Sequence, residues 1–464
     1  MKKEIKNRVV RLAVYALGLL VLVTAAGSCK KYLDEKPSGR LKIPNTIADL
    51  QALLDNMATN ELSPTFLEFA GDNYYSTLDG LSSFSQEMVN LYKWDPNAKF
   101  IVESGGAWTV PYSSVGSANF VLDLLPDMKF GETERAARDN VEGTALFSRS
   151  VKFFEIAQLF CKPYSATAPT DLGIVLRTTS NIDAPVTRAT VKETYDKIIS
   201  DLNRAVELLP VTALYNSRPN KAAAHALLAR VYLSMREYEK AGNQAAAALQ
   251  YNNTLLDYNT LAPAANPAVP ETPVINPEVL FILSHSNSIL SISGLAMIDS
   301  NLYRSYHDND LRSDVFFKIV NNNPYFKGSY YGAGGDYRVF TGPTTGELYL
   351  VRAETYARAG NATEAMNYLN ALLRKRWKTG TFTDMTATDA TDALEKILVE
   401  RRKELVFRGQ RWTDLRRYNL EGRNITLKRV LANTLYELPA NDLRWVFLIP
   451  DVEISRSGIP QNPR

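Results

Sequence analysis

One spacing occurs twice in this chain and leaves few folds open to it. In "LLARVYLSMREYEKAGNQAAAAL", Ala229 and Tyr232 are followed by Ala241, Ala245 and Ala248; in "VRAETYARAGNATEAMNYLNALL", Ala353 and Tyr356 are followed by Ala365, Leu369 and Leu372. A small residue, a tyrosine three positions on, an eight-residue gap and then alanine with apolar side chains at +4 and +7 is the pattern of a tetratricopeptide helix pair. Each residue type has a reason. The small side chain lets helix A approach its neighbour, the tyrosine fills the groove between A and B, and the alanine of B stands where the backbones come closest. A third pair is split: "LFSRSVKFFEIAQLF" reads as a helix A, and "TVKETYDKIISDLNRAVELLP" supplies Leu202, Ala205 and a terminal Pro210 at helix-B spacing. Between them lies the loop "CKPYSATAPTDLGIVLRTTSNIDAPVTRA".

The pairs are not contiguous. "TLAPAANPAVPETPVINPEV" carries prolines at 263, 267, 270, 273 and 277, which forbid a helix interior. "EVLFILSHSN" reads as a strand, and "NNNPYFKGSYYGAGGDYRVF" is rich in Gly, Asn and Tyr. The region from 60 to 120 mixes helices with aromatic loops such as "GDNYYSTLDG" and "NLYKWDPNAKF". The fold expected is therefore mostly all-α, a tetratricopeptide-like helical-repeat scaffold with minor β. Its repeats run over about 144–250 and 344–420, with an irregular, loop-rich insertion lobe over about 252–343 and an N-terminal mixed region over 40–125. At 464 residues the chain exceeds one ordinary core, which suits an array of subcores. Long loops in a compact fold usually carry function, so the ligand surface is expected in the insertions.

The amino terminus reads as a leader. Lys2, Lys3, Lys6, Arg8 and Arg11 precede an apolar run, Leu12 to Gly27, shorter than the ~20 residues a membrane span needs. Residues 1–28 are expected to be removed, with 29–464 as the mature domain. Without them the net charge falls from +3 to −1, so no global case for nucleic-acid binding survives. Cys29 directly follows Gly27-Ser28, where a lipoprotein signal peptidase would cut and the thiol would carry diacylglycerol. The other cysteine, Cys161, closes a helical stretch and is expected to be a buried small hydrophobe; two cysteines make no disulfide framework.

"ERRKELVFRGQRWTDLRRYNL", Glu400 to Leu420, is the most basic stretch of the mature chain. A helix is expected from about Asp392 to Arg408, with Leu394, Ile397, Leu398 and Leu405 on its apolar side and Gly409 closing it. Glu404 and Arg408 stand at i,i+4. Glu400 and Glu404 are like charges at the same spacing and need a cation between them; Arg411, Arg416 and Arg417 are the candidates. Two carboxylates among arginines suit a structural network better than a nucleic-acid surface.

"ERRKELVFRGQRWTDLRR" with the closing "FLIPDVEISRSGIPQNPR" resembles the C-terminal signature of the SusD/RagB family, and "CKKYLDEKP", "NKAAAHALLARVYL" and "LYLVRAETYARAGNATEAMNYLN" extend the resemblance over nearly the whole mature chain. The resemblance implies a surface lipoprotein of the outer membrane that captures a nutrient, an oligosaccharide or a peptide, for a SusC-like TonB-dependent transporter, with Cys29 as lipidation site. It carries over no ligand-binding residue.

Those must come from chemistry. Sugars pack their C–H faces on aromatic rings and need polar partners for their hydroxyls. Tyr74 and Tyr75 with Asp72, Trp94 with Asp95 and Asn97, and the pair Tyr330–Tyr331 are the candidates; Trp108 precedes an apolar helix and is expected in the core. An enzyme is the competing class, for instance a glycoside hydrolase with two facing carboxylates, and a protein-only tetratricopeptide scaffold is another. Neither H-E-x-x-H, G-x-S-x-G nor a phosphate loop occurs, "GAGGD" lacks the strand-then-helix setting, and "DNDLRSD" lacks the glycine and final Glu of a calcium loop. No cofactor and no metal are expected.

Overall fold

Alanine at the expected close-approach positions is what lets the helices pair. In the computed structural model, which describes residues 44–56, 66–98, 106–265, 268–269, 276–286, 295–330 and 338–464, Ala229, Ala241, Ala353 and Ala365 are all fully buried. Ile47–Arg464 forms one unit. Its main helices are α1 (Ile47–Leu54), α2 (Thr109–Leu124), α3 (Arg135–Phe160), α4 (Val191–Leu208), α5 (Lys221–Ser234), α6 (Tyr238–Tyr251), α7 (Thr345–Arg358), α8 (Ala362–Leu373), α9 (Ala390–Glu404) and α10 (Arg411–Leu420). The mostly helical fold is as expected. Among the described residues no helix is long and apolar enough to cross a membrane.

All three helix pairs form: α3 with α4, α5 with α6, and α7 with α8. The split pair starts its second helix with a capping box, in which Thr190 Oγ1 accepts from the Glu193 amide and Glu193 accepts from the Thr190 amide. Leu202 and Ala205 are buried, and the Arg149–Asp201 ion pair, at 2.8 Å, ties α4 to α3 inside the core. In the last pair Tyr356 stacks on Tyr368 of α8, centroids 5.6 Å apart, as a groove-filling tyrosine should. The array continues because α6 lies against α7: a Cβ on Gly242 would stand 2.7 Å from Thr355 Oγ1. Ala365→Trp is expected to lower stability by about 1–3 kcal/mol through overpacking. Thermal denaturation checks this, and an unchanged melt would contradict the packing.

Among the described residues ten short strands decorate this scaffold: β1 (Tyr74–Tyr75), β2 (Leu172–Val175), β3 (Arg188–Thr190), β4 (Ser284–Ser286), β5 (Met297–Ile298), β6 (Phe317–Val320), β7 (Asn323–Phe326), β8 (Arg338–Phe340), β9 (Leu427–Leu431) and β10 (Thr434–Leu438). All pairings are antiparallel: β2 with β3, β4 with β8, β9 with β10, and a four-stranded sheet in the order β1-β5-β7-β6. The strand expected over 278–287 shrinks to β4, with Val279 bridging Thr344 alone. Trp108 and Cys161 are core residues, as their positions imply.

The basic stretch is an ion network inside the protein, with different partners from those its spacing suggests. Helix α9 ends at Glu404, four residues early, because Phe407 and Gly409 take φ of +56° and +72° and turn the chain. Glu400 and Glu404 are bridged by Arg312, at 2.5 and 3.4 Å, and Glu404 also by Arg376 at 2.8 Å. Both cations come from distant segments, which no local spacing reveals. The three arginines expected to bridge them do other work. Arg411 pairs with Asp72 at 2.7 Å, Arg417 with Glu354 and Asp414, and Arg416 donates to the carbonyls of Gln158 and Cys161 at the end of α3. Arg408 lies over the ring of Tyr330 at 3.5 Å.

Candidate functional site

Buried guanidiniums need acceptors for their N–H groups and something flat against their faces. That need draws most of the aromatic loops inward. Arg429, on β9, donates to the carbonyls of Phe69, Gly71 and Tyr92. The rings of Tyr92, Trp94 and Tyr74 surround it at 3.9, 4.4 and 5.3 Å. Trp94 is only 3% exposed and donates from Nε1 to the Ala70 carbonyl at 3.0 Å. Trp94 and Tyr74 are therefore corrected from ligand platforms to core. Asp95, beside Trp94, accepts from the Asn97 amide and shapes an exposed turn. Tyr330 is corrected likewise: it is 2% exposed under Arg408, with its hydroxyl 2.5 Å from that of Tyr258. Tyr331 and Cys29 lie outside the described residues.

Tyr75 is different. It is 37% exposed, on the edge strand of the four-stranded sheet. Register places Tyr75 opposite Met297, Met297 opposite Tyr325, and Tyr325 opposite Lys318, so these four side chains form a row across one face. The other face carries Tyr74, Ile298, Phe326 and Phe317, all buried in the core. Burial, with Tyr75 nearby, raises the Tyr325 phenol above its ordinary pKa, so that ring stays neutral. Met297 and Tyr325 are each only 6% exposed, so of this row Tyr75 and the half-buried Lys318 reach the surface: a ring that can stack on a flat apolar face and an ammonium that can donate to a hydroxyl.

Asp72 holds this edge in place rather than facing a ligand. Its carboxylate takes two bonds from Arg411, at 2.7 and 2.8 Å, and its carbonyl accepts from Arg402 at 2.8 Å. Burial would raise this carboxyl; Arg411 and Arg402 outweigh it and hold the group well below the usual range. Arg402 also reaches Asn73 and Asp299, which clamps β1 to the segment following β5. Met297, Tyr325 and Lys318 were not singled out by the sequence. Their signal was a hairpin: Asn321 and Asn322, with φ of +50° and +63°, make the two-residue turn between β6 and β7. Among the described residues no group of three or more His, Cys, Asp or Glu side chains could hold a metal ion.

Two family models match the chain: one described as "Starch-binding associating with outer membrane" over residues 31–233, the other as "SusD family" over residues 317–445. The chain belongs to the SusD/RagB family. This SusD-like chain is 25% identical to SusD-like protein P2 of Formosa agariphila, over 88% of its own length and 91% of the relative's. Its fold matches a SusD superfamily protein of Bacteroides thetaiotaomicron at a TM-score of 0.73 and 22% identity, covering 90% of this chain and 100% of that one. A putative sugar binding protein of Bacteroides vulgatus matches at 0.73 and 23%, covering 91% and 99%. A laminarin binding SusD-like protein matches at 0.66 and 17%, covering 91% and 100%. The SusD-like family is one of carbohydrate-binding proteins associated with the outer membrane.

Proposed function

We propose that this SusD/RagB protein is a surface lipoprotein, anchored through Cys29, that captures an oligosaccharide on the Tyr75 row and delivers it to a SusC-like TonB-dependent transporter. It acts by binding and not by catalysis. The observation that carries the reading is the open ring of Tyr75 at the edge of a sheet face that also carries Lys318, whereas the candidates Tyr74, Trp94 and Tyr330 serve buried arginines. Relatives described as sugar binding and laminarin binding favour a glycan over a peptide. The insertion lobe, about 252–343, then supplies most of the ligand face, and the helical repeats, about 144–250 and 344–420, the support. A glycan and peptide array on the chain from residue 29 tests this. Saturable binding of an oligosaccharide is expected, and binding confined to peptides would overturn the ligand class.

Anchoring has its own test. Cys29→Ala should abolish acylation and move the protein from the membrane fraction to the soluble one, because a short polar tether has no affinity for lipid. A variant that still pellets with outer membranes after a salt wash would show a different anchor.

A further inference from the structure

A cavity of roughly 360 Å³ opens between the loop that follows α3, the C-terminal part of α10 and the closing segment of the chain. It shares no residue with the Tyr75 row, and its size lies in the range of small-molecule sites. The wall is mainly apolar, from Leu172, Leu420, Leu443 and Trp445, and Leu443 stands 44% exposed at the rim.

Arg416 also lines this cavity. It is buried, its Nη1 and Nη2 are held by the two carbonyls at the end of α3, and its Nε has no partner among the described residues. Among the described residues no carboxylate pairs with it. A helix C-terminus offers only about half an elementary charge, so the Arg416 cation remains under-compensated beside the cavity. Burial pulls Arg416 down to about 10, the direction expected of a guanidinium short of counter-charge. The acids of the cavity are already engaged. Asp171 takes Lys162 at 2.7 Å and Thr167 at 2.5 Å, and Asp442 takes two bonds from Arg444, at 2.8 and 2.9 Å.

We propose that this cavity binds a small organic carboxylate, with its charge on Arg416 and its body against Trp445 and the leucines. The carboxylate belongs either to a free acid with an apolar body or to a sugar acid. Calorimetric titration with benzoate and glucuronate, beside their uncharged counterparts benzyl alcohol and glucose, separates these sources. At least one carboxylate should bind saturably and at least tenfold tighter than its neutral counterpart, and which one does so names the source. Leu443→Trp, which narrows the mouth and leaves Arg416 on its helix end, should weaken that binding at least tenfold with the melting temperature unchanged. Arg416→Gln should abolish it. The proposal is overturned if neither carboxylate binds, if acid and neutral probes bind alike, or if Leu443→Trp binds like the parent.

Discussion

Arg376→Ala should cost about 3–5 kcal/mol of stability, the effect of removing one partner from a buried ion pair. The side chain is fully buried, donates to Glu278 and Glu404 at 2.8 Å each and to the Leu256 carbonyl at 2.7 Å, and lies over the ring of Tyr258 at 4.2 Å. It is the cation shared by two carboxylates from distant segments, one in the insertion lobe and one in α9. Burial already raises Glu278 in spite of Arg376, whereas Glu404, with Arg376 and Arg312 both beside it, is held below its ordinary value against the same burial. Without Arg376 the two carboxylates would face each other, and one would take up a proton. Glu278→Gln placed in the Arg376→Ala background should therefore recover part of the loss. Urea denaturation of the two single variants and the double variant measures this coupling. Strict additivity would show that the pair does not depend on Arg376.

Glu68→Gln should change how stability depends on pH. Glu68 is fully buried, with the Gly409 amide donating to it at 2.5 Å and Asn73 at 3.5 Å. Asp72 and Arg411 act on it from nearby with opposite sign, and burial dominates, raising its pKa from 4.5 to about 8. The folded state therefore keeps this proton up to about pH 8, while the unfolded chain loses it above 4.5. Its contribution is fully present below pH 4.5 and is lost as pH rises through 8, a swing on the order of several kcal/mol. Gln keeps an acceptor for the Gly409 amide and has no proton to lose. The variant should match the parent near pH 4.5 and exceed it in urea midpoint near pH 8.5. Parallel pH profiles for the two proteins would contradict a buried, neutral Glu68.

The helical scaffold was legible because its signal is local: small residues and tyrosines at fixed spacing report which helix faces meet, and Ala241 and Ala365 are where that spacing puts them. That the basic stretch is a structural network was legible too, from two glutamates set among arginines. Its partners were not, since Arg312, Arg376 and Asp72 come from far along the chain, and charge complementarity does not say which cation folds against which acid. The same long-range pairing hid the fate of the aromatic loops. Trp94 and Tyr74 look like stacking platforms until Arg429, more than 300 positions away, is seen to need them. Two hairpins went unread although their turns are local: Asn321–Asn322 and Ala432–Asn433 all have positive φ, between strands of matched length. Reading the first would have paired Tyr325 with Lys318.

Tyr75→Ala, titrated calorimetrically with the oligosaccharide the array selects and melted in parallel with Trp94→Ala, tests the central claim most directly. Loss of a stacking ring costs on the order of 1–2 kcal/mol, so affinity should fall about tenfold or more while the melting temperature stays put. Trp94→Ala should do the reverse, losing about 3–5 kcal/mol of stability with no selective effect on binding. A Tyr75→Ala protein that binds as the parent does would contradict the claim that this face holds the ligand.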